Sequence, residues 1–434
     1  MFSKILIANR GEVAVRIIRS CKEMGISTVA VYSQVDAEAL HVALADQSFC
    51  IGKADAADSY LNQDRILSAA LVSGAQAIHP GYGFLSENAE FAARCLKNGI
   101  AFIGPSVESM RRLSDKERIK TLMAEAGLPV IPGSQVLSSV REARQAAENM
   151  GYPVMIKARS GGGGRGIRLV TRPEELEQSY HSAVAEARAA FGDGAVYMEK
   201  YVHPAKHIEM QIIADEDGHV VCLGERDCSV QRNHQKLIEE SPCTVLTKTQ
   251  RKTLMEQVAK AVRTVGYSGI GTLEILLDRQ SGQAYFMEMN VRLQVEHPVT
   301  EMLTGIDLVK WQIRVAAGVP LSFTQADVRM ESASIECRIN ALRPGKVTFL
   351  HVPGGPNVRF DTFMITGCEI SPYYDAMIGK LIVNAGTREE ALRKMQASLC
   401  ELVIQGVDNN IEEQIDLITR KEFVNGTYDL DFLK

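Results

Sequence analysis

Short apolar runs alternate with segments of helical periodicity through the first hundred residues. Residues 4–9 have the continuous apolar character of a buried strand, and residues 13–24 repeat apolar positions at helical spacing until Gly25. Further strands are predicted over residues 28–32, 75–79 and 100–103, and a helix over 87–97. Strand, helix and strand joined by short connections predict a parallel, doubly wound α/β sheet, a Rossmann-like arrangement.

From about residue 115 the pattern changes to hairpins mixed with helices. Strands are predicted over residues 153–158, 167–170, 207–214, 220–228, 272–277 and 284–290, and helices over 115–126, 139–150, 248–265 and 301–317. A third unit begins near Ser332, with strands over 335–339 and 380–385 and helices over 388–401 and after Asn410. Both later units are α+β. We therefore predict three domains, over residues 1–114, 115–330 and 331–434.

Composition narrows the class of protein. At roughly 150 residues per domain, 434 residues fit three domains. The 48 basic and 53 acidic residues give a net charge of −5, which offers no field for nucleic acid or an anionic membrane as the main partner. The apolar start is too short for a signal peptide, and nine cysteines without close pairs disfavour a disulfide framework or a zinc site. We expect a cytoplasmic protein.

A glycine cluster lies between two predicted strands, from Lys157 to Gly166. Consecutive glycines allow backbone N–H groups to approach phosphate oxygens, and Lys157 and Arg165 add positive charge. Neither a Walker A loop nor a dinucleotide-binding fingerprint fits, because no helix follows directly. The pattern favours phosphate binding, with a plain flexible loop as the alternative.

Residues 288–298 carry the sharpest chemical pattern. In an extended chain alternate side chains share a face, which groups Glu288, Asn290, Arg292, Gln294 and Glu296. Glu274 on the preceding strand is expected beside Glu288, and two carboxylates with an amide oxygen suit Mg²⁺ or Mn²⁺. Arg292 offers a planar fork for an oxyanion, and Glu296 is placed to act as a general base. An ordinary amphipathic strand is the alternative, but its exposed face is usually Lys, Glu, Thr and Ser.

Two further clusters are ambiguous on pattern alone. Residues 225–236 are dense in hydrogen-bond donors, and His234 and Lys236 are expected on the same side, but a charged surface loop would look similar. Residues 78–88 follow a predicted strand, and their glycines fit either a ligand site at the carboxyl edge of the sheet or tight turns.

Taken together, six motifs resemble the biotin carboxylase family of ATP-grasp ligases. They cover residues 7–12, 79–88, 157–166, 225–236, 288–301 and 372–380, so the resemblance extends over essentially the whole chain. It implies an N-terminal Rossmann-like domain, a central ATP-grasp domain with a mobile lid over about residues 133–203, and an α+β C-terminal domain.

The resemblance also implies roles for individual residues. It implies that ATP is bound by Lys116, Lys157, Gly163, Gly164, Glu199, Lys200, Tyr201, Val202, His207, Gln231, His234, Glu274 and Glu288. Two Mg²⁺ or Mn²⁺ ions are expected on Glu274, Glu288 and Asn290, and bicarbonate on Lys236, Arg292, Gln294 and the Val295 backbone. Biotin is expected at Arg338 and Tyr82, and the catalytic residues are expected to be Lys236, Arg292, Glu296 and Arg338.

The implied reaction has two stages. Glu296 would deprotonate bicarbonate, which attacks the γ-phosphate of ATP to give carboxyphosphate, and this breaks down to CO₂ and phosphate. Phosphate would then take the ureido proton of biotin, and the enolate, stabilised by Arg338, would attack CO₂. Lid closure would keep water from hydrolysing carboxyphosphate.

The partners follow from the same resemblance. The chain has no Met-Lys-Met biotin attachment signature, so biotin is expected on a separate carrier protein, acting with a carboxyltransferase as in acetyl-CoA carboxylase. Arg16, Arg19 and Phe363 match positions that family dimers use, and a homodimer is expected. The acceptor stays open between acetyl-CoA, a longer acyl-CoA, pyruvate and urea.

Two other classes of protein fit the sequence less well. A different ATP-grasp ligase, such as a carbamoyl-phosphate synthetase or a purine-pathway carboxylating enzyme, would lack the combined set of Arg292, Gln294, Glu296 and Arg338. A catalytically silent regulatory subunit is disfavoured, because every expected catalytic residue is present.

Overall fold

The computed structural model describes residues 1–113, 116–159 and 166–433, with the side chains of residues 116 and 117 left out. Within those ranges, no helix combines the length and the apolar character needed to cross a membrane.

The N-terminal part is a five-stranded parallel sheet with helices. Its elements are β1 (Lys4–Ile7), α1 (Gly11–Glu23), β2 (Ser27–Ser33), α2 (Leu40–Leu44), β3 (Gln47–Gly52), α3 (Gln63–Ser73), β4 (Ala77–His79), α4 (Ala89–Lys97) and β5 (Ala101–Phe102). The strand order β3-β2-β1-β4-β5 confirms the predicted doubly wound sheet. The apolar pattern missed β3 because this edge strand is mostly exposed and has little continuous apolar character.

A small unit with its own core follows. After α5 (Val107–Leu113) and α6 (Lys116–Glu125) come α7 (Val140–Met150), β6 (Val154–Ala158), β7 (Ile167–Val170), α8 (Leu176–Phe191) and β8 (Val196–Lys200). The three strands pair in the order β7-β6-β8, and Ile156 and Met198 pack against Ala143 of α7 and Ala183 of α8. We call residues 137–159 and 166–200, which lie within the range of about 133–203 expected for the lid, the lid.

The remaining chain contains one large sheet, the two-stranded sheets β15-β18 and β16-β20, and helices. The elements are β9 (Ala205–Ala214), β10 (Val220–Arg232), β11 (Gln235–Ser241), α9 (Lys248–Thr264), β12 (Gly269–Asp278), β13 (Ala284–Asn290), α10 (His297–Thr304), α11 (Leu308–Ala316), β14 (Ala333–Asn340), β15 (Gly345–Lys346), β16 (Phe349–His351), β17 (Val358–Thr362), β18 (Glu369–Ile370), β19 (Met377–Ala385), α12 (Arg388–Glu401), β20 (Val403–Gln405), α13 (Ile411–Thr419) and α14 (Lys421–Val424).

Eight of these strands form a single antiparallel sheet in the order β13-β12-β9-β10-β11-β14-β19-β17. β11 lies before the domain boundary expected near residue 330 and β14 after it, and the two strands pair with each other. The central and C-terminal parts therefore share one hydrogen-bonded ladder, and this ladder fixes the positions of their side chains relative to one another.

Two local predictions were wrong. The single helix expected over residues 301–317 is two helices, because Gly305 adopts a φ of 72° that ends α10. Residues 225–236, for which the sequence left a charged surface loop open as an alternative, form a hairpin of β10 and β11 that turns at Asn233 and His234, which both have positive φ. The strand predicted over residues 284–290 is confirmed as β13, but the extended chain expected to continue to residue 296 ends at Asn290.

The early end of that strand has a local cause. Glu296 has φ −82° and ψ 13° and forms the N-cap of α10, and Pro298 lies in the first helical turn. Residues 291–296 therefore turn from the sheet into the helix. The shared face predicted for Glu288 through Glu296 holds only as far as Asn290, and the later side chains reach the site by this turn.

The two faces of the large sheet differ in chemistry. Along β12, Leu273 and Ile275 are completely buried and belong to the same apolar core as Leu254 and Val258 of α9. Side chains alternate along a strand, so Glu274 between them lies on the opposite face. The apolar face anchors the sheet, and the opposite face carries the polar residues described below.

We predict that Leu273→Ala lowers the free energy of unfolding by about 2–5 kcal/mol, because it opens a cavity in this core. Leu169→Ala removes the same atoms from a side chain that is 43% exposed on the lid, and we expect a loss of about 0.5 kcal/mol or less. Urea unfolding followed by circular dichroism checks both values. Equal losses would contradict the burial of Leu273 in this core.

Candidate active site

A row of charged side chains crosses the polar face of the large sheet. The strand register places Arg226 opposite Glu209, Glu209 opposite Glu274, and Glu274 opposite Glu288. This row spans β10, β9, β12 and β13. The hairpin register predicted for Glu274 and Glu288 is therefore correct.

Two cations converge on Glu296, which is 1% exposed. Lys236 donates from Nζ to Oε1 of Glu296 at 2.6 Å, and Arg338 donates from its guanidinium to Oε2 at 3.0 Å. Lys236 also donates to Glu209, and Arg338 donates from Nε to Oε1 of Glu239 at 2.6 Å. Three of the four residues predicted to be catalytic are thus brought into direct contact.

The protonation of this cluster follows from its charges. Burial alone would raise the pKa of Glu296, but the charges of Lys236, Arg338 and Arg226 hold it well below the usual value. Burial opposes the charged form of Lys236 as well, yet Glu209 and Glu296 raise the pKa of its ammonium well above the usual range. Glu296 is therefore a carboxylate and Lys236 an ammonium at neutral pH.

Arg226 is bonded to this cluster through Glu209. Its guanidinium is fully buried and donates to Glu209 at 3.0 Å, Gln211 at 2.7 Å, Thr300 at 2.8 Å and Thr272 at 3.2 Å. These bonds tie β10 to β9, β12 and α10. Sequence reasoning missed both Arg226 and Glu209, because a charged residue in a strand normally indicates the exposed face.

The expected metal ligands lie together at the outer end of the row. Asn290 donates from Nδ2 to Oε1 of Glu274 at 2.7 Å, and His207 Nε2 lies 3.0 Å from Oε2 of the same carboxylate. Burial would raise the pKa of Glu274, but His207 lowers it to about 2, so the carboxylate is ionised. With Glu288 opposite, two carboxylates and an amide oxygen form the hard-oxygen donor set that suits Mg²⁺ or Mn²⁺.

The turn before α10 presents groups suited to an oxyanion. Arg292 donates from a terminal nitrogen to Oε1 of Gln294 at 3.1 Å and from Nε to Glu87 at 3.0 Å. Gln294 is 3% exposed, and its Nε2 has no hydrogen-bond partner among the described residues. The carbonyl of Val295 accepts from Lys380 at 2.8 Å. A buried amide donor without a partner, next to an arginine, fits a small anion.

The residues predicted for the nucleotide are partly paired with one another. Glu199, 3% exposed, accepts from Lys157 and from Lys120, which sequence reasoning did not include. Burial opposes the ionised form of Glu199, but Lys157 and Lys120 lower its pKa. The acidic residue and two cations lie where the lid joins the rest of the chain.

The other predicted nucleotide residues are spread along the same edge. Lys200 donates from Nζ to the carbonyl of Gly151 at 2.8 Å, so its ammonium is directed toward the lid. The ring of Tyr201 stacks on His203 at 5.6 Å, and Val202 lies next to it in the connection to β9. Gln231 contacts His207 Nδ1 at 3.3 Å, while His234 is exposed at the hairpin turn. Gly163, Gly164 and the side chain of Lys116 lie outside the described residues.

Of the two residues predicted for biotin, Tyr82 lies in the N-terminal domain and Arg338 lies in β14. The Tyr82 hydroxyl donates to Glu12, which also pairs with Lys380 at 3.0 Å. The charge of Arg338 acts on the Tyr82 hydroxyl, although burial and Glu12 together raise the pKa of that hydroxyl well above the usual value. Tyr82 and Arg338 therefore belong to one connected polar region.

An ion-pair network fixes α10, the helix that Glu296 begins. Glu301 accepts from Arg16 at 2.9 Å and from Arg359 at 2.8 Å, and Arg359 also pairs with Asp361. Arg16, one of the expected dimer residues, is therefore engaged within its own chain. Arg19 is exposed and Phe363 is half-buried.

A parallel N-terminal sheet, a lid with its own core, and a charged sheet face with carboxylates for a metal and cations for an anion define an ATP-grasp ligase. Comparison with family models agrees. Residues 1–110 match the biotin carboxylase N-terminal domain, residues 115–324 the ATP-binding domain of the carbamoyl-phosphate synthase L chain, and residues 328–434 the biotin carboxylase C-terminal domain.

Individual proteins match over the full length. Biotin carboxylase 1 of Bacillus subtilis and the 2-oxoglutarate carboxylase small subunit of Hydrogenobacter thermophilus are each 48% identical, over 100% of this chain and 98% and 93% of theirs. A crystal structure of the Campylobacter jejuni biotin carboxylase–beta-gamma-ATP complex aligns with a TM-score of 0.95 at 47% identity, covering 100% of this chain and 98% of that one.

A second crystal structure comes from the Hydrogenobacter thermophilus 2-oxoglutarate carboxylase. Its biotin carboxylase domain dimer, with MgADP, ADP and bicarbonate, aligns with a TM-score of 0.93 at 47% identity, covering 100% of this chain and 97% of that one. This chain belongs to the biotin carboxylase family. It is an ATP-dependent ligase that carboxylates biotin.

We predict a pH-dependent contribution from the network that holds α10. Burial would raise the pKa of Glu301, but Arg16 and its neighbours lower it to about 2, against about 4.3 in an unfolded chain. The stabilisation is complete above the unfolded value and is lost as pH falls toward 2. Glu301→Gln is expected to cost about 3 kcal/mol at about pH 7.

Urea unfolding of wild type and variant between about pH 7 and 3 checks this window. The difference between them should shrink as pH falls. Glu389→Gln, which removes an exposed partner of Arg393, is the matched control and should show little pH dependence. A Glu301→Gln difference that is constant over the range would contradict the assigned ion pairs.

Proposed function

We propose that this chain carries out the biotin carboxylation step of acetyl-CoA carboxylase, with ATP, bicarbonate and two Mg²⁺ or Mn²⁺ ions. The observation that carries the proposal is the convergence of Lys236 and Arg338 on Glu296 beside the unpartnered Gln294 amide. That cluster combines a buried carboxylate, two donors that can stabilise developing negative charge, and room for an anion's hydrogen bonds.

Bicarbonate binds, in this proposal, between Arg292, Gln294, Lys236 and the Val295 backbone. Arg292 can offer its planar fork to two oxygens of the anion. Gln294 Nε2, buried without a partner among the described residues, gains a bond that offsets its desolvation. These donors orient the anion with one oxygen toward the nucleotide.

Glu296 acts as the base that takes the bicarbonate proton. With Lys236 and Arg338 both donating to it, its lowered pKa makes it a weak base. A bound oxyanion competes for the same donors, and each bond that Lys236 transfers to the anion raises the basicity of Glu296. Proton transfer is thereby coupled to occupation of the site.

The nucleotide lies along the edge between the lid and the sheet. Lys116, Lys157, Gly163, Gly164, Glu199, Lys200, Tyr201, Val202, His207, Gln231 and His234 are the residues proposed to contact it. Glu274, Glu288 and Asn290 would hold the metal ions, which supply positive charge to the phosphate oxygens. Closing the lid excludes water from the reactive acyl phosphate.

Biotin approaches from the side of Tyr82 and Arg338. The Arg338 guanidinium, with its charge secured by Glu239 and Glu296, is placed to stabilise negative charge on the ureido oxygen. Glu296 and Arg338 are in direct contact, so the two stages of the reaction share one charged pair.

The parent enzyme is the finer part of the proposal. Several full-length relatives carry only the name biotin carboxylase, and one is a 2-oxoglutarate carboxylase small subunit. We favour acetyl-CoA carboxylase, a homodimer in the cytoplasm, a separate biotin carboxyl carrier protein and a carboxyltransferase. The competing assignment is a 2-oxoglutarate carboxylase, which that relative supports.

We predict that the purified chain releases ADP from ATP in the presence of Mg²⁺ and bicarbonate, and that free biotin stimulates this release. Glu296→Gln should lower the stimulated rate by about 10²-fold or more, because a general base contributes about that much. Nucleotide binding, measured by calorimetry, should be retained. A folded wild-type protein without biotin stimulation would exclude the proposed function.

The matched control is Arg343→Gln, which removes a guanidinium that is 74% exposed and paired with Asp408 at the surface. We expect its rate within about twofold of wild type. Full activity of Glu296→Gln would remove this residue from the mechanism without affecting the family assignment.

The parent enzyme is tested by its partners. We predict that the chain, isolated from its native cells under mild conditions, co-purifies with a biotinylated carrier protein and a carboxyltransferase that converts acetyl-CoA to malonyl-CoA. Mass spectrometry and a transferase assay identify both. A complex that carboxylates 2-oxoglutarate instead would overturn the acetyl-CoA carboxylase assignment.

A further inference from the structure

Two glutamates lie opposite each other directly behind Arg338. β11 and β14 pair antiparallel with Glu239 opposite Glu336, and both side chains are completely buried. Directly opposed residues have Cβ atoms about 4.5–5.5 Å apart. Two carboxylates on directly opposed positions in a core repel each other strongly if both are ionised.

Their hydrogen bonds are divided unequally. Arg338 donates to Oε1 of Glu239 at 2.6 Å. Oε2 of Glu239 and both oxygens of Glu336 have no hydrogen-bond partner among the described residues. Because a buried polar group without a hydrogen bond destabilises the fold, two ionised side chains would be unfavourable here. One proton on Glu336 creates a donor that Oε2 of Glu239 can accept.

The nearby cations do not compensate a negative charge on Glu336, because other groups already engage them. Lys380 of β19 lies opposite Arg338, and its charge favours the ionised form of Glu336, but its ammonium donates to the Val295 carbonyl at 2.8 Å and pairs with Glu12 at 3.0 Å. Arg338, on the same strand as Glu336, is engaged by Glu239 and Glu296.

The other neighbours, a hydroxyl and a second carboxylate, also disfavour the ionised form of Glu336. The Tyr82 hydroxyl already donates to Glu12, and Glu296 is a carboxylate. Burial first, and then the charge of Glu239, raise the pKa of Glu336 well above the usual value, and Glu296 adds to the increase.

We propose that Glu239 and Glu336 form a carboxylate–carboxylic acid pair that positions the Arg338 guanidinium for the biotin step. Glu336 holds the shared proton and is a positioning residue, while Glu239 is the anion that contacts Arg338. The O–H of Glu336 fixes Oε2 of Glu239, so that Oε1 stays directed at Arg338. A neutral Glu336 also leaves Arg338 free to keep its second bond to Glu296. This inference rests on the proposed role of Arg338 toward biotin.

Infrared spectroscopy tests the protonation without an activity readout. The carbonyl stretch of a carboxylic acid is separate from the bands of ionised carboxylates. The wild-type spectrum at neutral pH, minus that of Glu336→Gln, is expected to contain one carboxylic acid band, and the same subtraction with Glu389→Gln is expected to contain none. Absence of that band in the Glu336→Gln difference overturns the proposal.

Kinetics test the positioning. Glu336→Gln keeps a donor in place of the acid, whereas Glu336→Ala removes it. We expect Glu336→Ala to raise the KM for free biotin about tenfold or more, with ADP release in the absence of biotin close to wild type. Glu336→Gln should restore most of the biotin KM.

The possible failures are distinguishable. If wild type shows no biotin stimulation, the proposed function fails, and the infrared result still decides the protonation. If wild type is stimulated but Glu336→Ala and Glu336→Gln share one biotin KM, the positioning role is wrong. Equal losses in both the biotin-dependent and the biotin-independent rates of Glu336→Ala would indicate a structural role only, and would also overturn it.

Discussion

The requirement that buried charges neutralise one another in a single cleft governs the rest of this structure. Four glutamates, Glu12, Glu209, Glu239 and Glu296, and four cations, Arg226, Lys236, Arg338 and Lys380, are buried or nearly so around one face of the large sheet. Removing one partner from a buried ion pair costs several kcal/mol, because the remaining charge is uncompensated. The cluster is therefore stable only as a set, and its geometry is fixed as a set.

This constraint explains why the sheet is continuous. The charged residues come from strands on both sides of residue 330, and only a shared ladder holds Lys236 of β11 and Arg338 of β14 at the same carboxylate. α10 closes the cleft, with Glu296 at its N-cap and Glu301 fixed by Arg16 and Arg359. Arg16 of the N-terminal domain and Arg359 of the C-terminal part thus both contact Glu301 of the central part. The net charge of −5 does not prevent this cleft from carrying cations suited to an anion.

Much of the site could be predicted from sequence where the chemistry depends on local pattern. The Glu274–Glu288 pairing follows from a hairpin with a Ser281-Gly282 turn, and the parallel N-terminal sheet follows from apolar runs. What pattern could not show was burial of charge. Glu239, Glu336 and Arg226 occupy alternate strand positions that normally face water, and only the packing of α10 and the N-terminal domain encloses them. The turn over residues 291–296 was missed for a related reason. Polar and apolar residues continue to alternate in the sequence after the strand has ended at Asn290.

The central claim is that Lys236 and Arg338 keep Glu296 ionised in the cleft. Carbon-13 NMR titration of the glutamate carboxyls, assigned by comparison with Glu296→Gln, tests it most directly in wild type and in Lys236→Met. We expect a Glu296 pKa well below about 4.3, the ordinary value, in wild type, and a marked rise of that pKa in Lys236→Met. An ordinary Glu296 pKa that is the same in both proteins would contradict it.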